Sequence, residues 1–230
     1  YITVGGGRQL HDTTFSCSSQ AFDAQLLQKV LDMKPASLEV DASLLESISK
    51  HTPLPPLYTK IQQDSAFDSL SQELRTALGG YIVDLRVSDT AAVRAEKLAL
   101  VRLLTAKAEQ KPIRALCHCD LSAEGSSTVI STGGIVGDLV DSGAQSVILH
   151  TEMHTEPIDL DVCREVVEEA LYLDCAGDPI KQRLGLHVPF LGQDDGDAQE
   201  VLQQAAELGV THFSASVEHM QTVADNTAHR

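Results

Sequence analysis

The sequence has no tryptophan, and four tyrosines with five phenylalanines bring aromatics to only 4% of its 230 residues. A core built from it cannot rest on large rings and must be aliphatic. Hydrophobic residues at 43% are too many for a disordered chain. Basic residues are scarce as well. Seventeen Lys and Arg against 33 Asp and Glu leave a formal charge of −16, which opposes contact with nucleic acid or anionic lipid and would suit a basic protein surface. No run approaches the roughly 20 apolar residues of a membrane helix, so no membrane span is expected. The cysteines are Cys17, Cys117, Cys119, Cys163 and Cys175. Odd in number and irregular in spacing, they do not form a disulfide framework, and they point to a reducing intracellular compartment. Cys117-His118-Cys119 leaves one residue between its thiols, fewer than the about two to four of a zinc pair. The sequence starts at Tyr1 rather than Met, which is compatible with a processed targeting segment ahead of it.

What remains is a regular alternation of strand-like and helix-like segments. Strands are predicted over Leu10–Phe15, Ser37–Val40, Leu57–Lys60, Tyr81–Val87, Ile113–Cys119, Ser146–Leu149, Leu184–Phe190 and Val210–Val217. Helices are predicted over Ala21–Met33, Ala42–Lys50, Ala66–Leu78, Ala91–Glu109, Thr128–Ser142, Leu160–Asp174 and Ala198–Leu208. Gly79 and Gly80 read as a helix stop, as do Gly143 and Gly209. About eight βα units imply a parallel sheet covered by helices, and their number favours closure into a single barrel domain. Residues 1–8, with Gly5, Gly6 and Gly7, read as a flexible lead-in, and residues 219–230 as a short polar tail. The three glycines precede the first strand, so they are not a dinucleotide-binding loop.

In that order, several segments resemble the hydroxymethylglutaryl-CoA lyases, part of a wider set of metal-dependent barrels that includes homocitrate synthase and the carboxyltransferase domain of pyruvate carboxylase. Asp12-Thr13-Thr14-Phe15-Ser16-Cys17 is similar to the Asp-Thr-Thr-Leu-Arg-Asp of the set's first strand. Leu38-Glu39-Val40 resembles its Ile-Glu-Val. Ile113 to Cys119 is similar to Val-Arg-Gly-Tyr-Val-Ser-Cys, and His187-Val188-Pro189 stands at the His-x-His pair. Ala206 to Val210, running on to Ser214-Ala215-Ser216-Val217, resembles the Ala-Leu-Glu-Ala-Gly-Val and Asp-Ala-Ser-Val of the last unit. The resemblance implies a (β/α)₈ barrel of the lyase type, and activity in the form of carbon–carbon cleavage at a divalent Mg or Mn ion.

Carried over residue by residue, it also implies a degenerate site. Ser16 stands at the catalytic Arg, Cys17 at the metal Asp and Pro189 at the second metal His. His187 keeps the first His. Glu218-His219-Met220 occupies the place of the Gly-rich Cys loop, and the expected barrel lacks a C-terminal lid. Asp12, Glu39 and His187 are the residual site, with Glu39 expected to pair with a cation and Asp12 with backbone, Arg8 or Arg114. Cys117 and Cys119 read as buried, inert thiols.

Three readings follow. The first is a pseudoenzyme without metal or other cofactor, kept as an accessory or structural subunit among other protein subunits, with a mitochondrial assembly as the expected setting. The second is a divalent-metal-dependent acyl-CoA lyase whose rearranged site uses His187, His150, Glu152 and Glu218. The third is a binding module that keeps a CoA or carboxylate ligand on Lys60 and Arg86.

Overall fold

The computed structural model describes residues 2–4, 8–10, 12–17, 24–32, 34–48, 53–119, 129–151, 159–172, 184–187, 203–208, 210 and 212–216. Strands β1 (Ile2–Val4) and β2 (Arg8–Leu10) pair antiparallel, with Ile2 opposite Leu10. Eight further strands are β3 (Asp12–Cys17), β4 (Ser37–Val40), β5 (Leu57–Lys60), β6 (Leu78–Arg86), β7 (Ile113–Cys119), β8 (Ser146–Thr151), β9 (Leu184–His187) and β10 (His212–Ser216). All their pairings are parallel, and β10 pairs with both β9 and β3, so the sheet closes into a barrel. The helices between them are α1 (Ala24–Asp32), α2 (Leu45–Ile48) after a 3₁₀ turn, α3 (Asp64–Asp68), α4 (Gln72–Ala77), α5 (Ala91–Lys107), α6 (Val129–Asp141) and α7 (Leu160–Tyr172). Residues 203–208 are helical as well. No described helix is long and apolar enough to cross a membrane.

The two-residue period of a strand sorts its side chains. In β7, Ile113, Ala115, Cys117 and Cys119 join the main core between sheet and helices. Arg114, Leu116 and His118 take the other face, where Leu116 packs with Ile82, Ile148 and the half-buried Tyr58 in a small cluster inside the barrel. The aliphatic core expected from the composition is present. The outer layer rests on Leu38, Leu104, Ile113, Leu149 and Leu186, with Phe67, Tyr81 and Phe213 as the large buried rings among the described residues.

Several local expectations are corrected. Residues 1–8 are not a featureless lead-in, because β1 and β2 pair there; Gly5–Gly7 themselves lie outside the described residues. The first barrel strand starts at Asp12 instead of Leu10. The helix expected over Ala66–Leu78 is two short ones. The Ser71 hydroxyl accepts from Leu74 N at 3.2 Å and caps the second, which forces the first to end before it. Helix α5 stops at Lys107 because Glu109 and Gln110 adopt left-handed φ of 51° and 69°. Gly143, at φ 108°, does close α6, with Ala144 N donating to Leu139 O at 3.0 Å.

Gly79 and Gly80 do not stop a helix. They lie in β6, where neighbouring backbone approaches closely. A Cβ on Gly80 would run into the Tyr58 ring and lie 2.5 Å from Pro112 O. Ring and carbonyl belong to the two strands or strand approaches flanking β6, so neither can yield independently. Gly80→Ala is therefore expected to lower stability by about 1–3 kcal/mol, the usual cost of overpacking. A urea midpoint equal to that of the parent would show that the barrel wall accommodates the methyl.

Candidate functional site at the barrel mouth

The inward positions near the C-terminal strand ends carry polar side chains. They are Glu39 on β4, Lys60 on β5, Asp84 on β6, His118 on β7, His150 on β8, His187 on β9 and Ser214 on β10. The register makes three of them a ladder: His118 is opposite His150, and His150 is opposite His187. Parallel strands lie about 4.8 Å apart, so in-register rings must stack. His150 and His187 lie 3.9 Å apart at 14°, and His118 and His150 lie 4.5 Å apart at 45°. At the far end, His187 Nδ1 and Ser214 Oγ share a 2.7 Å hydrogen bond, both side chains being buried.

The other half of the mouth is a charge network. Lys60 Nζ lies 3.8 Å from Glu39 Oε1 and 3.8 Å from Asp84 Oδ2, and Lys97 Nζ donates to Asp84 Oδ1 at 3.4 Å. Burial pushes the Glu39 carboxyl above its ordinary 4.5, against the pull of Lys60 and Arg114. At Asp84 burial acts in the same direction, but Lys60 and Lys97, helped by His118, overcome it and hold the group below its ordinary 3.8. Deeper in the barrel, the Arg114 guanidinium stacks 4.1 Å over Tyr58 and donates to Ser37 Oγ at 3.2 Å. Burial, with Arg114 adding to it, drives the His212 imidazole down to about 3, so that ring is neutral near pH 7. The Cys117 thiol, wholly buried on the outer face, is pushed up to about 12 by burial, as expected of an inert thiol.

Of the residues singled out by sequence, the structure brings His187 and His150 together and places Glu39 on the same rim, paired with Lys60 as expected. Ser16 is in register with Glu39 and Ser216, and Cys17 with Val40. Asp12 pairs with His212, two residues nearer the N-terminal end than the level of Ser214 and His187. Pro189, Glu152 and Glu218 lie outside the described residues. Lys60 lies between two carboxylates, where a ligand's carboxylate would be repelled. Arg86 is exposed at the end of β6, in register with His118. Sequence reading missed His118, Asp84, Lys97 and Ser214. Their signal was parity: each of the three strand residues among them is polar at a position that alternates with the buried apolar residues of its strand.

The divalent ion that the resemblance implies does not fit the residues described. Among them, no group of three His, Cys, Asp or Glu is placed to hold a metal. The rings of His150 and His187 are nearly parallel, so their in-plane lone pairs run side by side and do not converge. One nitrogen of His187 is already bonded to Ser214.

At the level of sequence, no family model and no curated protein matches the chain. Solved structures do match its fold. The HMG-CoA lyase from Brucella melitensis superposes with a TM-score of 0.69 at 13% identity, covering 89% of this chain and 80% of that one. The hydroxymethylglutaryl-CoA lyase from Pseudomonas aeruginosa gives 0.67 at 12%, covering 89% and 75%. The carboxyl transferase domain of Rhizobium etli pyruvate carboxylase gives 0.59 at 13%, covering 89% of this chain and 39% of that one. The chain thus has the parallel β/α barrel fold of the hydroxymethylglutaryl-CoA lyases. At such identities the likeness concerns fold alone.

Asp84 offers a test of the charge network. Its carboxyl titrates lower folded than unfolded, so its contribution is complete above about 3.9 and is lost as pH falls through the folded value. Asp84→Asn should lower stability by about 1–2 kcal/mol at pH 7, with the gap narrowing below pH 4. Urea titrations across that range check it, and a gap independent of pH would show that Asp84 acts by packing.

Proposed function

We propose that this barrel no longer performs metal-dependent carbon–carbon cleavage and serves as an accessory or structural subunit of a larger protein assembly. The carrying observation is the mutual engagement of the mouth's polar groups. His187 is bonded to Ser214 and stacked on His150, while Lys60 bridges Glu39 and Asp84. Cleavage of the lyase type needs a Lewis acid to polarise an oxygen and a fixed positive charge beside it. Ser16, Cys17 and Pro189 supply neither the charge nor hard ligands. The net charge of −16 suits a partner with a basic face, and a mitochondrial assembly is the setting we favour. The rearranged metal site would need Glu152 and Glu218 to join His150 and His187, and the stacking of the two rings argues against it.

Two measurements test this reading. Manganese should not raise the melting temperature, whereas binding at a hundredfold excess over Kd would add about 2.7 kcal/mol. With manganese or magnesium present, the protein should release no acetoacetate from hydroxymethylglutaryl-CoA. A clear thermal shift or any enzyme-dependent release would overturn the loss of activity. In an extract of its source, the protein should elute well above the mass of its denatured polypeptide; elution as a monomer would overturn the subunit role.

A further inference from the structure

Ser214 on β10 and His187 on β9 are in register across neighbouring strands, and Oγ lies 2.7 Å from Nδ1. A serine hydroxyl within hydrogen-bond reach of an imidazole, with the imidazole oriented by a third group, is the arrangement of an activated nucleophile. The third group here is His150, whose ring lies 3.9 Å from that of His187 at 14° and fixes its plane. The pair itself is buried. His150 and His118, the next rings of the stack, are half-buried, so solvent reaches the stack from their end. Beneath the pair the barrel is closed. Gly185 is in register with His212 and Ile148, and a Cβ there would lie 3.0 Å from His212 Cδ2 and 3.1 Å from Ile148 Cγ1. Ile148 packs in turn on Ile82 and Leu116. A group delivered to Ser214 therefore has room toward the mouth and little below.

We propose that Ser214 is a nucleophile and His187 its base, and that the pair takes a short acyl group from an activated carboxylic ester. Neutral His187 carries its own proton on Nε2 and accepts the Ser214 hydroxyl at Nδ1. Ser214 Oγ bonds to the ester carbonyl carbon as its proton passes to Nδ1, and the carbonyl π pair moves onto oxygen. That pair then returns, the bond from carbon to the alcohol oxygen breaks, and the Nδ1 proton leaves with the alcohol. Water attacks the acyl-serine through the same nitrogen, which frees the acid and restores the hydroxyl. Each turn consumes one ester and one water, yields one acid and one alcohol, and oxidises or reduces nothing. His150 takes no proton and is a positioning residue. The acyl group is short because Gly185, His212 and Ile148 close the floor under the pair. No step uses a divalent ion, and the inference goes beyond the subunit role without resting on it.

The test is acetylation of the full-length protein by p-nitrophenyl acetate at neutral pH without added metal. Samples are quenched in acid and mapped by peptide mass spectrometry while nitrophenolate release is followed. Exposed Ser65 and Ser69 are internal references. Ser214 should be acetylated faster than either by about a hundredfold, the low end of general-base assistance. Ser214→Ala should remove most of the nitrophenolate release. Absence of acetyl on Ser214, together with release unchanged in Ser214→Ala, would overturn the proposal; acetyl on His187 alone would overturn the choice of nucleophile. His187→Gln keeps an acceptor for the hydroxyl but cannot take its proton, so it should slow acylation by about a hundredfold, and an unchanged rate would remove the base. His150→Ala should slow acylation and His150→Phe, which keeps a ring on the stack, should restore it; a rate indifferent to both would remove the positioning role. Should the variants fail to fold, the acetyl map of the unmodified protein decides alone. p-Nitrophenyl octanoate should acylate Ser214 poorly, and equal acylation would overturn the short-chain class. Elution as a monomer or release of acetoacetate would sink the subunit reading without altering this map, so the two proposals fail separately.

Discussion

The pairing of β10 with β3, from His212 opposite Asp12 to Ser216 opposite Ser16, is the contact on which the remainder depends. Without it the parallel strands form an open sheet with two faces. With it, one face becomes an interior with no access except at the ends. Every second residue of each strand must then fit a closed space, which is why Ile82, Leu116 and Ile148 form a cluster separate from the main core. Polar residues on that face can survive only near an end, or with partners. Arg114 meets both demands below the aliphatic layer by stacking on Tyr58 and bonding Ser37.

Closure also explains the chemistry of the mouth. Ionic groups from neighbouring strands are brought within a few ångströms, and their solvation is reduced together. Burial pushes Glu39 and Asp84 in the same direction, and the lysines oppose it at both, prevailing at Asp84 and not at Glu39. Lys60 is shared between the two, while Lys97 reaches Asp84 from α5. The same register that builds this network builds the histidine stack on the opposite strands. Stacked rings hold their in-plane lone pairs side by side, a geometry poor for convergent ligation of one ion.

Much of the fold was legible because an aliphatic strand bounded by Pro, Gly or charged residues has few alternatives. Ser37–Val40, Leu57–Lys60 and Ile113–Cys119 were read to the residue. Errors fell where tertiary contact overrides a local signal. Gly79 and Gly80 look like a helix stop, but the Tyr58 ring and Pro112 carbonyl give them a different reason to be glycine. Ser71 divides a segment whose periodicity alone suggests one helix. In the site, His187 and Glu39 stood out through the family resemblance. His118 was hidden between two cysteines that drew the metal reading. Its partners on β8 and β9 depend on strand register, a quantity that sequence pattern constrains only to parity.

Identity of 13% or less with the lyase structures, alongside TM-scores near 0.69, separates what a barrel requires from what a reaction requires. The barrel asks for alternation, turn residues and volume, and many sequences satisfy those demands. A metal site asks for particular atoms at particular points. Ser16 and Cys17 satisfy the first demand as well as Arg and Asp would, since β3 still pairs with both neighbours through those positions. The loss proposed above concerns only the second. Without a bound ion, the acids at the mouth need a counter-charge, because an unpaired buried carboxylate is costly. Lys60 provides it. A lysine between two carboxylates is favoured as its ammonium, so the positive charge at the mouth is built into β5 and needs no bound ion to supply it.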